Sequence, residues 1–331
     1  MAKAFSLFSG GLDSMLAARA VIEQGVEVTA LHFITPFFGY NSKGRETQSA
    51  ENFKKKYEID VRILDVSQEY IEMVRRPVYG YGKNFNPCLD CKIFMMRKAK
   101  ALMLAEGADF LISGEVLGQR PMSQRRDAMS IVERDSGVKG YLLRPLCAKL
   151  LQPTIPEQKG LVDREKLYGF SGRSRRPQME LAEKFGIKDY ATPAGGCILT
   201  DPILSKRVRE LLLKEGEVNA RDVQILSVGR LFKFPSGTLR VGRNERDNDK
   251  LVSLADKEDV IIRARDYPGP VSLFRGKPTK DDIELAARIT ARYSDAKGID
   301  SVAVSFTSGP EEAVIWVSPA SSILVEELKS I

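Results

Sequence analysis

Residues 5–25 read FSLFSGGLDSMLAARAVIEQG. The apolar run Phe5–Phe8 has the character of a buried strand, and Met15, Leu16, Ala18, Val21 and Ile22 recur at helical spacing up to a stop at Gly25. The hexapeptide SGGLDS therefore occupies a strand-to-helix turn. The first backbone N–H groups of a helix have no partner within it, and the helix dipole adds partial positive charge at the same end. An anion fits there. Gly10 and Gly11 leave room for a phosphate beside the backbone, Ser9 and Ser14 offer hydroxyls, and Asp13 can hold a magnesium ion. The stretch lacks the GK[ST] ending of a Walker-type loop. A plain tight turn is the other reading of a glycine pair.

Outward from this turn, strands at Lys3–Phe8, Glu27–Phe33, Val61–Val66 and Phe110–Ser113 alternate with helices, one near Thr47–Tyr57 and one within Cys91–Ala105. Such alternation predicts an α/β fold, a parallel sheet covered by helices on both faces. Ligands of such sheets bind at the carboxyl ends of the strands. The glycine turn, the loop after Phe33 and SGEVLGQ at 113–119 are thus expected to share one crevice. His32, the single histidine, reads first as a packed or solvent-facing imidazole and second as a ligand.

From about Gly118 to Pro202 the pattern is irregular and rich in Pro, Gly and Arg, with one helix expected at Pro177–Phe185. Beyond Ser205 come a helix to Lys214, hairpins across FKFPSGTLRVG and VIIRARDYPGPVSLF, a helix from Lys280 to Lys297 and two final strands. Hairpins mixed with helices indicate a separate, smaller α+β domain. The expected division is a parallel-sheet domain over 1–170, a connecting segment over 171–204 and the α+β domain over 205–331.

With 331 residues, 43% of them hydrophobic, the chain can bury the cores of two or more domains. No apolar run approaches the length of a membrane span, and the N-terminus runs straight into a strand, so a cytoplasmic protein is expected. The formal net charge is +7, and residues 119–176 alone hold 13 Lys or Arg against 6 Asp or Glu. In QRPMSQRR and SGRSRRPQ, arginines alternate with Ser and Gln, a mixture suited to phosphate and sugar contacts. A solvated basic surface is the plainer alternative.

Four cysteines are present, Cys88, Cys91, Cys147 and Cys197. In a cytoplasmic chain such thiols bind metal or do chemistry more often than they form disulfides. Cys88 and Cys91 form a CxxC at the start of a helix, a spacing that can grip a metal ion or a cluster. The same helix start can lower a thiol pKa and serve redox or persulfide chemistry. Cys197, in TPAGGCILTD, is flanked by glycines that let a sulfur approach another group, whereas Cys147 sits among apolar residues and reads as a small buried hydrophobe. Two centres compete: a closed zinc site on four thiols, or a 4Fe-4S cluster on Cys88, Cys91 and Cys197 with one iron open.

SGGLDS resembles the PP-loop of ATP pyrophosphatases, and SGEVLGQRPMSQ is similar to the ENLGQ region of tRNA 4-thiouridine synthases. With the CxxC and the later AGGC, the first 200 residues resemble a tRNA thiouridylase of the cluster-dependent type. The tail, GRLFKFPSGTLRVGRNERDND through DYPGPVSLFRG to DIELAARITARYSDAK, resembles the NFACT-R RNA-binding domain.

The resemblance implies an enzyme that adenylates a uridine carbonyl oxygen with ATP, releases pyrophosphate and replaces the oxygen with sulfur on tRNA. It implies Mg2+ and ATP on Ser9, Gly10, Gly11, Asp13 and Ser14, with His32, Gly114 and Gln119 beside them. Asp13 and Ser14 would be catalytic together with Cys88, Cys91 and Cys197, the ligands of a 4Fe-4S cluster. Arg120, Arg125, Arg126, Arg173, Arg175 and Arg176 would meet tRNA, with Ser123 and Gln124 at the crevice and Arg288 and Arg292 as further phosphate contacts.

Sulfide or a sulfur-donor protein would be the second partner, and a homodimer is compatible with such a chain. With the first strand at Lys3, the ferredoxin-like, THUMP and rhodanese segments of the better-known 4-thiouridine synthases are not expected here. Acceptor-stem recognition is accordingly expected from the basic segment and the tail, and both 4-thiouridine and 2-thiouridine remain open as products. A small-molecule ligase with a four-cysteine zinc, or a non-catalytic RNA-binding protein switched by nucleotide, are the rival readings.

Overall fold

A computed structural model describes residues 1–188, 190, 197–213, 216–296, 298–309 and 311–328. The chain divides into two compact units, Met1–Ala220 and Arg221–Ile331.

The first unit runs β1 (Lys3–Leu7), α1 (Leu12–Ile22), β2 (Glu27–Ile34), α2 (Glu46–Tyr57), β3 (Asp60–Asp65), α3 (Ser67–Arg75), α4 (Cys88–Glu106) and β4 (Phe110–Ser113). It continues with α5 (Arg126–Ser136), β5 (Leu142–Leu143), α6 (Ile155–Gln158), α7 (Arg176–Lys184) and α8 (Pro202–Leu212). Its five strands form a wholly parallel sheet in the order β3-β2-β1-β4-β5. Alternate side chains leave each strand on opposite faces. Ala4, Val28, Ala30, Phe110 and Ile112 pack with α1 and α7, whereas Phe5, Leu31, Phe33 and Leu111 pack with α4 and α5. Both faces are therefore buried, which is why the strands read as near-continuous apolar runs.

The chain moves outward from β1 through β2 to β3, then returns to the other side of β1 for β4 and β5. The order thus reverses at β1, and the loops leaving β1 and β4 meet at the carboxyl end of the sheet.

The expected strands agree with the observed ones to within a residue or two. The region 118–170, read as irregular, instead contains α5, the two-residue strand β5 and the single turn α6. Elements this short carry little periodicity, and in α5 the buried Ala128, Met129 and Val132 were masked by the surrounding charges. Helix α3 was likewise not anticipated. Helix α8 starts at Pro202, three residues earlier than expected, because the Asp201 carboxylate accepts from the N–H groups of Ile203 and Leu204.

The second unit begins within α9 (Ala220–Ile225). It contains β6 (Arg230–Phe234), β7 (Gly237–Val241), α10 (Glu245–Ser253), β8 (Val260–Ala264), β9 (Ser272–Gly276), α11 (Lys280–Arg292), β10 (Val302–Ser308), β11 (Glu311–Val317) and α12 (Ser322–Leu328). Six antiparallel strands lie in the order β11-β10-β8-β9-β7-β6. Both expected hairpins and the final strand pair are present, while α11 ends at Arg292 rather than continuing to Lys297. One sheet face packs on α11 and α12 through Phe232, Leu239, Ile262, Phe274, Val304 and Val317. On the other face α10 covers Val271 and Leu273 through Leu251 and Leu254. Among the described residues no helix is long and apolar enough to cross a membrane.

Candidate functional site

The glycine turn sits at the carboxyl end of β1. Gly10 has a φ of 74°, and Gly11 is the extended residue before α1. The two serines lock this loop. Ser14 Oγ donates to the Gly11 carbonyl at 2.7 Å and accepts from the Ser9 N–H at 3.3 Å, and Ser9 Oγ accepts from the Gly11 N–H at 3.3 Å. Hydroxyls that close a loop on itself hold its backbone amides in a fixed direction, as an anion site requires.

Gly114 follows β4 and lies against the start of α1. A Cβ there would stand 2.5 Å from the Asp13 carbonyl oxygen and 2.7 Å from the Ser14 nitrogen, so this approach needs glycine.

Three segments meet at Asp13. The Gln119 amide Nε2 donates to Asp13 Oδ2 at 2.7 Å, and the Arg175 guanidinium lies 3.5 Å from the same oxygen. Behind Gln119, the fully buried Gln178 donates Nε2 to Gln119 Oε1 at 3.0 Å. The other carboxylate oxygen, Asp13 Oδ1, is buried without a hydrogen bond. Backbone pairing keeps the loops together: Leu117 bridges Ser171, and the Gly172 N–H donates to the Leu117 carbonyl at 2.8 Å. The two arginine-rich stretches are therefore neighbours.

The six expected RNA-binding arginines behave differently. Arg175 turns to Asp13. Arg125 pairs with Asp127, Arg176 with Glu180, and Arg126 donates to the Leu150 carbonyl. Arg120 and Arg173 are exposed, at the two neighbouring loops. Ser123 and Gln124 are buried, where the Gln124 carbonyl accepts from Gly118 N–H at 2.7 Å and shapes the 117–124 loop.

His32 is packed between Phe8 and Phe53, with Nδ1 3.0 Å from the Phe8 carbonyl. Burial lowers its pKa, partly opposed by that carbonyl. It supports the end of β1 from behind, since Phe53 also lies under Gly10.

The thiols form a second cluster. Cys88 and Cys91 open α4, and Cys197 precedes a short 3-10 turn at Ile198–Thr200. Burial pushes Cys91 up to about 11 and Cys197 up to about 12, and Cys88 and Cys91 both act electrostatically on Cys197. Tyr70, buried on α3, has its hydroxyl beside Cys91, and Asn86 Nδ2 donates to Cys88 Sγ at 3.2 Å. Among the described residues no three His, Cys, Asp or Glu side chains stand close enough as they are to hold a metal ion. The glycines expected to free Cys197, Gly195 and Gly196, lie outside the described residues.

Cys147 stands apart from this group. It is fully buried and donates to the Glu115 carbonyl at 3.3 Å, as its apolar surroundings suggested. A four-thiol site is thus not favoured. Beside it Arg144 pairs with Glu115 at 2.9 Å and with Glu133, and Lys92, next to Cys91, lies 3.4 Å from Glu115. Burial would raise the Glu115 pKa, but Lys92 and Arg144 outweigh it and lower the value.

Sequence reasoning missed Tyr70, Asn86, Gln178 and the Glu115 ion network. Only Gln178 carried a signal, as the glutamine of SGRSRRPQ.

The family model described as Thiamine biosynthesis protein (ThiI) matches residues 1–150, and that of the NFACT protein RNA binding domain matches residues 229–328. Among curated proteins the chain is 28% identical over 180 residues to a probable tRNA sulfurtransferase of Thermococcus kodakarensis, covering 54% of this chain and 44% of that protein. It is 33% identical over 130 residues to the tRNA-specific 2-thiouridylase MnmA of Petrotoga mobilis, covering 35% of each. The chain thus spans less than half the length of these curated relatives. A solved 4-thiouridine synthetase–RNA complex with bound ATP aligns at 16% identity and a TM-score of 0.39, over 68% of this chain and 52% of that one. Residues 1–150 are therefore similar to the ThiI family and residues 229–328 to the NFACT RNA-binding family.

Proposed function

We propose that the chain is an ATP-dependent tRNA thiouridine synthase. The observation that carries this reading is the meeting of the glycine turn, Gln119 and Arg175 at Asp13, at the strand ends where a parallel sheet binds its ligand.

In this reading the Ser9–Ser14 loop seats the phosphates of ATP against its backbone N–H groups. The buried, unpaired Asp13 Oδ1 fits a magnesium ion, which would neutralise charge on the phosphates. Gln119, fixed by Gln178, orients the Asp13 carboxylate, and Arg175 is placed to stabilise charge that develops on the departing pyrophosphate. The uridine carbonyl oxygen attacks the α-phosphorus as the bond to the bridging oxygen breaks. Hydrosulfide then adds to the activated ring carbon, AMP leaves with the former carbonyl oxygen, and a proton is released.

The three thiols of Cys88, Cys91 and Cys197, with Asn86 donating to Cys88 and Tyr70 beside Cys91, fit as ligands of a 4Fe-4S cluster. Such a cluster, held by three thiolates, supplies an open iron at which sulfide can bind. Tyr70 on α3 packs there against Phe94 on α4 and Phe37 of the loop after β2. The substrate is tRNA, for which the ThiI-type and NFACT-type segments and the exposed Arg120 and Arg173 speak together.

The test is anaerobic incubation of the protein with ATP, magnesium, sulfide and unmodified tRNA, followed by nucleoside mass spectrometry. A thiouridine that requires ATP is expected, and its mass fragments distinguish the 4-thio from the 2-thio isomer. Pyrophosphate release without any thionucleoside would move the reading to a small-molecule acceptor. Iron and acid-labile sulfide near four per chain, lost in Cys197→Ala, are expected alongside.

A further inference from the structure

The second unit carries an open sheet face that nothing in the first unit's chemistry explains. Residues 221–331 hold 17 basic and 17 acidic residues, so the unit has no overall charge with which to attract a polyanion. An RNA contact there must be local.

Such a place exists on β10, β11 and the end of β8. The register aligns three rows of side chains across the strands on the face opposite α11. Trp316 pairs with Ala303, whose carbonyl accepts from the Arg265 N–H at 2.9 Å; Val314 pairs with Ser305 and Ser305 with Arg263; Glu312 pairs with Thr307 and Thr307 with Ile261. Trp316 is 69% exposed and Val314 39% exposed. Arg263 and Arg265 are exposed, and neither guanidinium has a partner among the described residues. Helix α10 covers Leu273 of β9, and its cluster reaches Ile261 at the edge of the last row but none of Trp316, Val314, Arg263 or Arg265. The small Ala303 separates the indole from Arg265 by two strand spacings, roughly 10 Å.

A large aromatic ring left in water, with two unpaired guanidinium groups two strands away across β10, matches unpaired nucleotides. A base stacks on the ring while its phosphates meet the arginines. Double-stranded RNA offers no free base face, and Glu312 at the far row repels phosphate, which confines the backbone to the arginine side. We infer that Trp316, with Arg263 and Arg265, is a stacking platform for single-stranded nucleotides of the RNA substrate. This rests on the reading that the chain binds RNA, and it adds where and in what form.

Trp316 is the only tryptophan in the chain, so its emission reports on this site alone. The full-length protein is titrated with an eight-nucleotide single-stranded RNA and, separately, with a blunt RNA duplex. Labelled single strand is followed by anisotropy in the wild type, Trp316→Ala, Trp316→Phe, Arg263→Gln and Arg265→Gln. Saturable quenching by the single strand and little by the duplex is expected. Trp316→Ala should weaken binding roughly 5- to 150-fold, the range spanned by stacking one base, while Trp316→Phe retains most of it. Each arginine variant should lower the log-log salt slope by about 0.7.

If tRNA binds but Trp316 emission and the Trp316→Ala affinity are unchanged, the platform is overturned and the tRNA reading stands. If neither tRNA nor single strand binds, both fail. Emission that changes with protein concentration and not with RNA would assign the face to a second copy of the chain and overturn the proposal.

Discussion

Gln119 and Asp13, 106 positions apart in sequence, are joined by a 2.7 Å hydrogen bond in which the amide donates to the carboxylate. The bond fixes which Asp13 oxygen is engaged and which is left free. Gln119→Leu is expected to lower ATP-dependent pyrophosphate release about 10- to 100-fold, the usual cost of losing a group that orients a metal-binding carboxylate. Gln178→Leu, acting only through Gln119, should lower it in the same direction and by less. Unchanged rates in both variants would show that Asp13 needs no orientation.

Gly114→Ala places a methyl group 2.5 to 2.7 Å from the backbone of Asp13 and Ser14. Neither is the end of a flexible side chain, so the first turn of α1 must shift. A stability loss of about 1–3 kcal/mol and weakened ATP binding are expected, read by urea titration and calorimetry. A variant as stable as the parent would mean that the two loops part without cost.

Cys147→Ala separates the two arrangements of thiols. Because Cys147 is bonded to the Glu115 carbonyl, iron and sulfide content should be unchanged in this variant and lost in Cys197→Ala. Loss in both would restore a four-thiol centre.

Arg144 neutralises Glu115 in a buried network. Arg144→Ala leaves that carboxylate uncompensated, and a loss of about 3–5 kcal/mol is expected. The added Arg144→Ala/Glu115→Gln double variant should recover part of it, as measured by chemical unfolding. Absence of any recovery would place the loss in packing instead.

His32 gives the first unit a pH dependence. Its folded pKa is lowered by burial below the ordinary 6.5, so as pH falls below 6.5 the unfolded chain takes up a proton that the folded one resists. Stability contributed by the neutral ring is present above pH 6.5 and declines beneath it. The melting temperature of His32→Asn should approach that of the parent between pH 7.5 and pH 5. Parallel curves would locate the titrating group elsewhere.

What could be read from the chain follows the range of the interaction involved. The β1 strand, the glycine turn and α1 lie within a few residues of one another, and periodicity with Gly10 and Gly11 sufficed to place them. CxxC is equally local. Most partners of these groups are not: Gln178 reaches Gln119, and Tyr70 reaches Cys91, through packing between distant elements, while Asn86 bonds Cys88 from only two residues away. Charge was the least specific signal. It marked six arginines alike, yet Arg175 faces a carboxylate, Arg176 and Arg125 serve neighbouring acids, and Arg120 and Arg173 face water.

The position of β1 at the middle of its sheet also sets when the glycine turn can take its shape during synthesis. β1 is made first, but it pairs on one side with β2 and on the other with β4, more than a hundred residues later. Gly114 and Gln119, which close on Asp13, follow β4 directly. A nascent chain that has left the ribosome only as far as β3 therefore holds the glycine turn without the walls that shape it. Non-local pairing of this kind slows folding, and it ties the loop's competence to the arrival of residues beyond 119.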